Sequence, residues 1–171
     1  TLKRNYPYKE LASHLIGYLG KITEKELKTC PLYSKKSFTR DEFVGRAGIE
    51  KVFNNDLMGI NGGRQVEVDA YGRKLQVLNE VPVIPGNNLF LTIDINLQKK
   101  IKELLKDKVG VVIVINPNNG EILALEGNPS FDPNIFSRCT TKEEWLNILN
   151  NPNYPLKNRA FSCLYSPGSI F

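Results

Sequence analysis

The sequence has little histidine, little cysteine and no cysteine pair spaced for a metal or redox motif. His14 is the single histidine, and the three cysteines are Cys30, Cys139 and Cys163, with no C-x-x-C spacing. A zinc site needs about four clustered ligands, so we expect no metal site. Three cysteines do not support a disulfide framework, and free or buried thiols are expected. A Ser-His-Asp triad would have to use His14, for which a structural or surface role is favoured over a catalytic one.

Long apolar runs are also missing. No stretch approaches the roughly 20 apolar residues that span a membrane, and the first residues, 1–4, do not resemble a secretory signal peptide. If the parent protein is exported or anchored, we therefore expect its targeting segment to lie outside this sequence.

Charge of one sign is not concentrated anywhere. The net charge is +5, but the basic residues are spread along the chain without a long block. A nucleic-acid surface would be clustered and interleaved with aromatic residues, so we expect no nucleic-acid partner. The pattern favours a solvated, mildly basic surface, with attraction to an anionic membrane or wall polymer as the alternative.

What is present is an ordinary globular composition, 41% apolar and 24% charged over 171 residues. That length supports one good core or two small ones. In the first half we predict a helix over 6–20 that ends at Gly17 or Gly20, and a capping box at Thr23–Glu26. Residues 30–41 have no periodicity and are interpreted as a mobile connection.

A second helix is predicted where Ile49, Val52, Phe53 and Leu57 recur at helical intervals, with Gly59 as its C-terminal stop. From residue 64 the apolar period becomes two, which predicts a β-hairpin over 64–77 with one buried face. Pro82 and Pro85 then interrupt the chain, and we interpret this interruption as a domain boundary.

The second half begins with a short apolar strand at 89–93. Asp94 is expected to cap a helix whose buried face carries Leu97, Ile101, Leu104 and Leu105. Strands at 109–115 and 121–126 flank a turn, and a capping box at Thr141 opens a further helix. A helix packed on an antiparallel hairpin predicts an α+β fold.

Several stretches, in this order, resemble the class B penicillin-binding proteins, and within that family the elongation-type members. They are YPYKELASHLIGYLGKI, GRAGIEKVFNNDLMGINGGRQVEVDAYGR, NNLFLTIDINLQKKI, INPNNGEILALEGNPSFDPNIF and NRAFSCLYSPGSIF. The resemblance implies a non-catalytic, partner-binding pedestal at 1–88 and the beginning of a transpeptidase domain at 89–171. It also implies no cofactor.

The resemblance makes Ser169 the acyl nucleophile of a Ser-x-x-Lys motif, in which the lysine would follow Phe171. It implies a peptidoglycan D,D-transpeptidase of cell-wall elongation and cell shape, and a β-lactam target. The parent is expected to lie in the periplasm, anchored to the cytoplasmic membrane by an N-terminal helix. The 171-residue chain alone is expected to be inactive, because the lysine and the later Ser-x-Asn and Lys-Thr-Gly motifs are not in it.

Three further residues lie in family-like motifs. For Asn134, bracing of its loop is favoured over substrate contact. For Arg159, an internal clamp is favoured over a ligand for the substrate carboxylate. Glu50 is expected to be a first-turn helix residue or an ion-pair partner.

The partners that the resemblance implies are an MreC-type scaffold protein and a RodA-type glycosyltransferase, bound within residues 1–60. For the full-length protein it also implies peptidoglycan stem peptides and β-lactams. Two other hypotheses stay open: an interaction module with no catalytic role, and a basic domain that binds nucleic acid.

Overall fold

The computed structural model describes residues 4–29, 42–137 and 141–166. Short helices alternate with three antiparallel strand pairs, which confirms the α+β class. The elements are α1 Ser13–Ile16, β1 Leu19–Lys21, α2 Glu24–Thr29, β2 Phe43–Gly45, α3 Gly48–Val52, α4 Asn54–Leu57, β3 Gly63–Val68, β4 Lys74–Val81, α5 Ile95–Leu104, β5 Gly110–Ile115, β6 Ile122–Asn128, a 3₁₀ turn Pro133–Ile135, α6 Lys142–Leu149 and α7 Arg159–Ser162.

The prediction of a helix over 6–20 is wrong for most of these residues. Residues 7–12 form turns, and α1 is a single helical turn at Ser13–Ile16. Lys9 has φ 50° and Ala12 has φ 56°, left-handed conformations that cannot continue a right-handed helix. Gly17 does end the helix as predicted, with φ 85°, and a Cβ there would lie 1.9 Å from the Ala47 carbonyl oxygen.

The next stretch is partly as predicted. The capping box at the start of α2 is confirmed: the Thr23 N–H donates to Glu26 at 2.9 Å, and the Glu26 N–H donates to the Thr23 hydroxyl at 3.3 Å. The connection predicted at 30–41 lies outside the described residues. The helix predicted near Ile49 is instead two short helices, α3 and α4, that meet at Phe53. The second ends at Leu57, two residues before Gly59.

The β3–β4 hairpin confirms the predicted pairing but not its predicted buried face. Arg64 pairs with Glu80 and Val66 with Val77, while every residue of β4 is exposed. Leu75 is 62% exposed and Val77 is 53% exposed. The apolar alternation therefore has no packing partner among the described residues.

The main core lies where α5 packs on β6. Ile101, Leu105 and Ala124 are buried together, with Leu97 and two valines of β5 against them. Asp94 caps α5 as predicted, accepting from the N–H of Asn96 at 2.8 Å and from that of Leu97 at 3.2 Å. Leu104 is 66% exposed, so its predicted place on the buried face is wrong.

The predicted strand at 89–93 is not a regular strand. The segment runs beside β6 without forming a ladder, and it is held there by two hydrogen bonds. The Thr92 hydroxyl donates to the Ile122 carbonyl at 2.6 Å, and the Asp94 N–H donates to the Leu123 carbonyl at 2.9 Å. The β5–β6 hairpin itself is confirmed, with Val112 paired to Glu126.

The C-terminal helices begin as predicted. At α6 the Thr141 hydroxyl accepts from the Glu144 N–H at 3.2 Å, and the Glu144 carboxylate accepts from the Thr141 N–H at 3.1 Å. The capping box is therefore confirmed. Asn158 caps α7 by accepting from the Ala160 N–H at 3.1 Å. Cys163 is a free thiol, while Cys30 and Cys139 lie outside the described residues. Among the described helices, none has the length and apolarity to cross a membrane.

Candidate functional site

The predicted nucleophile, Ser169, lies outside the described residues, as does everything after residue 166. Its catalytic role stays a prediction. The structure describes the residues that precede it in the chain: α7, the loop before α7, and the segments that pack against them.

Arg159 begins α7 and is 7% exposed. Its guanidinium donates to the carbonyl oxygen of Asn153, to that of Tyr154 at 3.3 Å and to that of Lys157 at 3.3 Å. All these acceptors belong to the backbone of the preceding loop. The geometry favours the internal clamp over the ligand for a substrate carboxylate, because the fork is already engaged by this loop.

Asn134 lies in the 3₁₀ turn and bonds to a distant part of the chain. Its Oδ1 accepts from the Tyr6 N–H at 2.9 Å, and its Nδ2 donates to the Tyr6 carbonyl at 2.9 Å. Nδ2 also contacts Asp132 Oδ1 at 2.8 Å. Both backbone groups of Tyr6 are thus held by one side chain, which favours bracing over substrate contact and extends it to the N-terminal segment.

Glu50 is both a first-turn helix residue and an ion-pair partner, and it is the centre of a buried cluster. It lies in the first turn of α3, is 4% exposed, and pairs with Arg4 Nε at 2.8 Å. It also accepts from the Tyr6 hydroxyl at 3.0 Å. Burial, and then the negative charge of Glu50, raise the pKa of Tyr6, so this phenol stays protonated.

A cleft of about 270 Å³ opens beside this cluster. Its lining includes the polar residues Arg4, Glu50 and Asn87 and the apolar residues Ile16 and Leu89. This volume is slightly below that of ordinary small-molecule sites, about 300–1,000 Å³.

A second buried cluster, around Glu126 of β6, was not predicted. Its carboxylate is 2% exposed and accepts from the Ala12 N–H at 2.7 Å and from Gln98 Nε2 at 2.6 Å. Lys102 Nζ lies 3.5 Å from the other oxygen. Burial raises the pKa of Glu126, and its three partners oppose that rise. No motif marks this residue, because its partners come from segments far away in sequence.

His14 lies in an aromatic group between α1 and the loop after β6. The rings of His14 and Phe131 meet edge to face, with their centroids 5.3 Å apart. The ring centroids of Tyr18 and Phe136 lie 4.3 Å apart, with the two rings tilted by 31°. Burial lowers the pKa of His14, which favours the neutral form of the ring. These contacts favour the structural role. In the described part of the chain, no three His, Cys, Asp or Glu side chains are grouped so as to hold a metal ion.

Two family models match this chain in succession. Residues 1–91 match the penicillin-binding protein dimerisation domain, and residues 110–171 match the penicillin-binding protein transpeptidase domain. The chain belongs to the penicillin-binding proteins. The boundary expected after residue 88 stays a prediction.

Individual penicillin-binding proteins are also similar to nearly the whole of this chain. The peptidoglycan D,D-transpeptidase MrdA of Salmonella typhimurium (strain SL1344) is 38% identical over 97% of this chain and 27% of its own length. A complex of penicillin-binding protein PBP2 with MreC from Helicobacter pylori has a TM-score of 0.71 and 32% identity, covering 92% of this chain and 28% of that one. Pseudomonas aeruginosa PBP2 has a TM-score of 0.77 and 31% identity, covering 99% and 33%. The chain thus spans about a quarter of the length of the curated relatives it matches.

Proposed function

We propose that the full-length protein is a class B peptidoglycan D,D-transpeptidase of cell-wall elongation. Residues 1–88 would be its pedestal and residues 89–171 the beginning of its catalytic domain. The observation that carries the proposal is the succession of the two family models on one chain. Relatives named D,D-transpeptidases, which match nearly the whole chain, support it further.

In the proposed reaction, Ser169 Oγ attacks the carbonyl carbon of the penultimate D-alanine of a stem peptide. The hydroxyl proton passes to the lysine of Ser-x-x-Lys and from there to the leaving nitrogen. The C–N bond breaks, D-alanine leaves, and an ester remains on the serine. An amine of a neighbouring strand then attacks that ester, forms the crosslink and restores the serine hydroxyl.

General helix geometry supports these roles, on the proposal that Ser169 begins a helix. A lysine three residues after Ser169 would lie on the same helical face, one turn away. The backbone N–H of Ser169, in a first helical turn, would donate to the oxyanion. The 171-residue chain alone would be inactive, because a site that lacks its base and second motif does not hold the reacting atoms in place.

We further propose that the pedestal binds an MreC-type scaffold protein and a RodA-type glycosyltransferase, and that an N-terminal helix anchors the parent to the cytoplasmic membrane from the periplasmic side. The solved PBP2 complex with MreC supports the first partner. Exposed apolar side chains within 1–60 offer contact area, among them Tyr8 at 52%, Val52 at 74% and Ile60 at 44% exposure.

The alternative is an interaction module without catalysis. The two are separated by treating the folded full-length protein with a labelled penicillin and mapping the adduct by mass spectrometry. We expect one adduct per chain on Ser169, lost in Ser169→Ala and kept in the neighbouring Ser166→Ala. Folded protein that takes up no label, but binds an MreC-type partner, would favour the interaction module and refute the enzyme.

A further inference from the structure

Residues 6–12 cross from the Glu50 cluster to the Glu126 cluster as an irregular strap. Its middle, residues 7–10, is exposed, whereas Tyr6, Leu11 and Ala12 are buried at its ends. Two of its residues hold left-handed backbone, Lys9 at φ 50° and Ala12 at φ 56°. Such conformations are unfavourable for residues with a Cβ and persist only where the surroundings impose them.

Both ends of this strap are held by side chains from distant segments. At the first end, Asn134 bonds the backbone of Tyr6 twice, each at 2.9 Å. At the other end, the N–H of Ala12 donates to Glu126 at 2.7 Å. The acceptor for the N–H of Ala12, which has a left-handed backbone, is therefore a carboxylate 114 positions away in sequence.

Charge reinforces the Ala12 end. Lys102 lies between two carboxylates, 3.5 Å from Glu126 and 3.8 Å from Glu10 of the strap itself. It also bonds Ser130 in the loop after β6. One ammonium thus joins the strap, α5 and the hairpin, and its partly buried position limits screening by solvent.

We propose that residues 6–12 form a strained strap which Glu126 closes, and which opens as one unit while the α5–hairpin core stays folded. The first helix opens with it, since the N–H groups of Leu15 and Ile16 both donate to the Ala12 carbonyl. Asn158, the cap of α7, donates to the His14 carbonyl at 3.3 Å, so opening also removes a support of the segment that leads to residue 166.

Hydrogen exchange on the native full-length protein tests this strap. In Glu126→Ala, exchange of the amides of the strap and of α1, residues 6–16, should accelerate by roughly 10- to 100-fold, the factor expected when a buried N–H loses its acceptor. Amides of the β5–β6 hairpin should keep their rates. Glu103→Ala is the matched control: it removes an exposed glutamate of α5, paired only with Lys100 at 3.1 Å in the described contacts, and should change neither group.

A second variant keeps the proposal testable if Glu126→Ala does not fold. Ala12→Gly removes the Cβ that disfavours φ 56°, so the strap amides should exchange about threefold more slowly. Faster exchange in Ala12→Gly would overturn the proposal. So would Glu126→Ala exchange that is unchanged in the strap, or accelerated equally in strap and hairpin.

Discussion

Gln98 is a fully buried polar residue whose replacement by an apolar side chain should lower the free energy of unfolding. It is 0% exposed, and its amide bonds both the N–H and the carbonyl of Leu125 in β6, as the backbone of a paired strand would. Nε2 donates to the Leu125 carbonyl at 2.5 Å, and Oε1 accepts from the Leu125 N–H at 3.0 Å. Nε2 also donates to Glu126 at 2.6 Å. Every polar atom of this amide is thus engaged.

Leucine at this position keeps the volume but removes those bonds. Two backbone groups of Leu125, itself 2% exposed, are then left without partners. Each costs about 1–3 kcal/mol, and the gain from burying an apolar side chain offsets about 2 kcal/mol. The net loss in the free energy of unfolding should be about 2 kcal/mol, which lowers the melting temperature by roughly 4–8 °C for a chain of this size.

The assay is urea and thermal unfolding of wild type and Gln98→Leu, followed by circular dichroism. Gln76→Leu is the matched control, because Gln76 donates to Glu67 at 2.8 Å on the exposed β3–β4 hairpin. The control should stay within about 0.5 kcal/mol of wild type. Equal losses in the two variants, or no loss in Gln98→Leu, would refute the argument that buried bonding decides the cost.

Two further predictions follow from burial. Because burial lowers the pKa of His14 in the folded protein, the unfolded chain binds a proton there at a higher pH than the folded protein does. The free energy of unfolding should therefore fall as the pH drops below about 6.5. His14→Gln should flatten that part of a pH series of urea midpoints; an unchanged slope would contradict the sign. Leu75→Ser, at a side chain 62% exposed, should change the melting temperature by less than about 2 °C. A larger drop would show that the β3–β4 hairpin does have a buried face.

Local chemistry was sufficient where an element carries its own signals. Capping boxes at Thr23 and Thr141, the Asp94 cap and the turn between β5 and β6 were all predictable, because each involves residues within a few positions of one another. The family also followed from motifs in the sequence, as the two matching family models bear out.

For the candidate site, residue types were predictable and contacts were not. Ser169 came from a motif, and its role is still a prediction. Arg159 and Asn134 came from motifs as well, but only the fold shows that one holds its own loop while the other holds Tyr6.

Tertiary structure alone decided the N-terminal segment and its buried charges. Apolar spacing predicted a helix at 6–20, yet Ala12 takes a left-handed backbone whose N–H bonds Glu126, 114 residues later. Glu50 and Glu126 are ordinary acidic residues in sequence, and they become buried only because distant donors surround them. Periodicity reports which side chains can share a face; it does not report what that face meets, because partners far apart in sequence are brought together only by the fold.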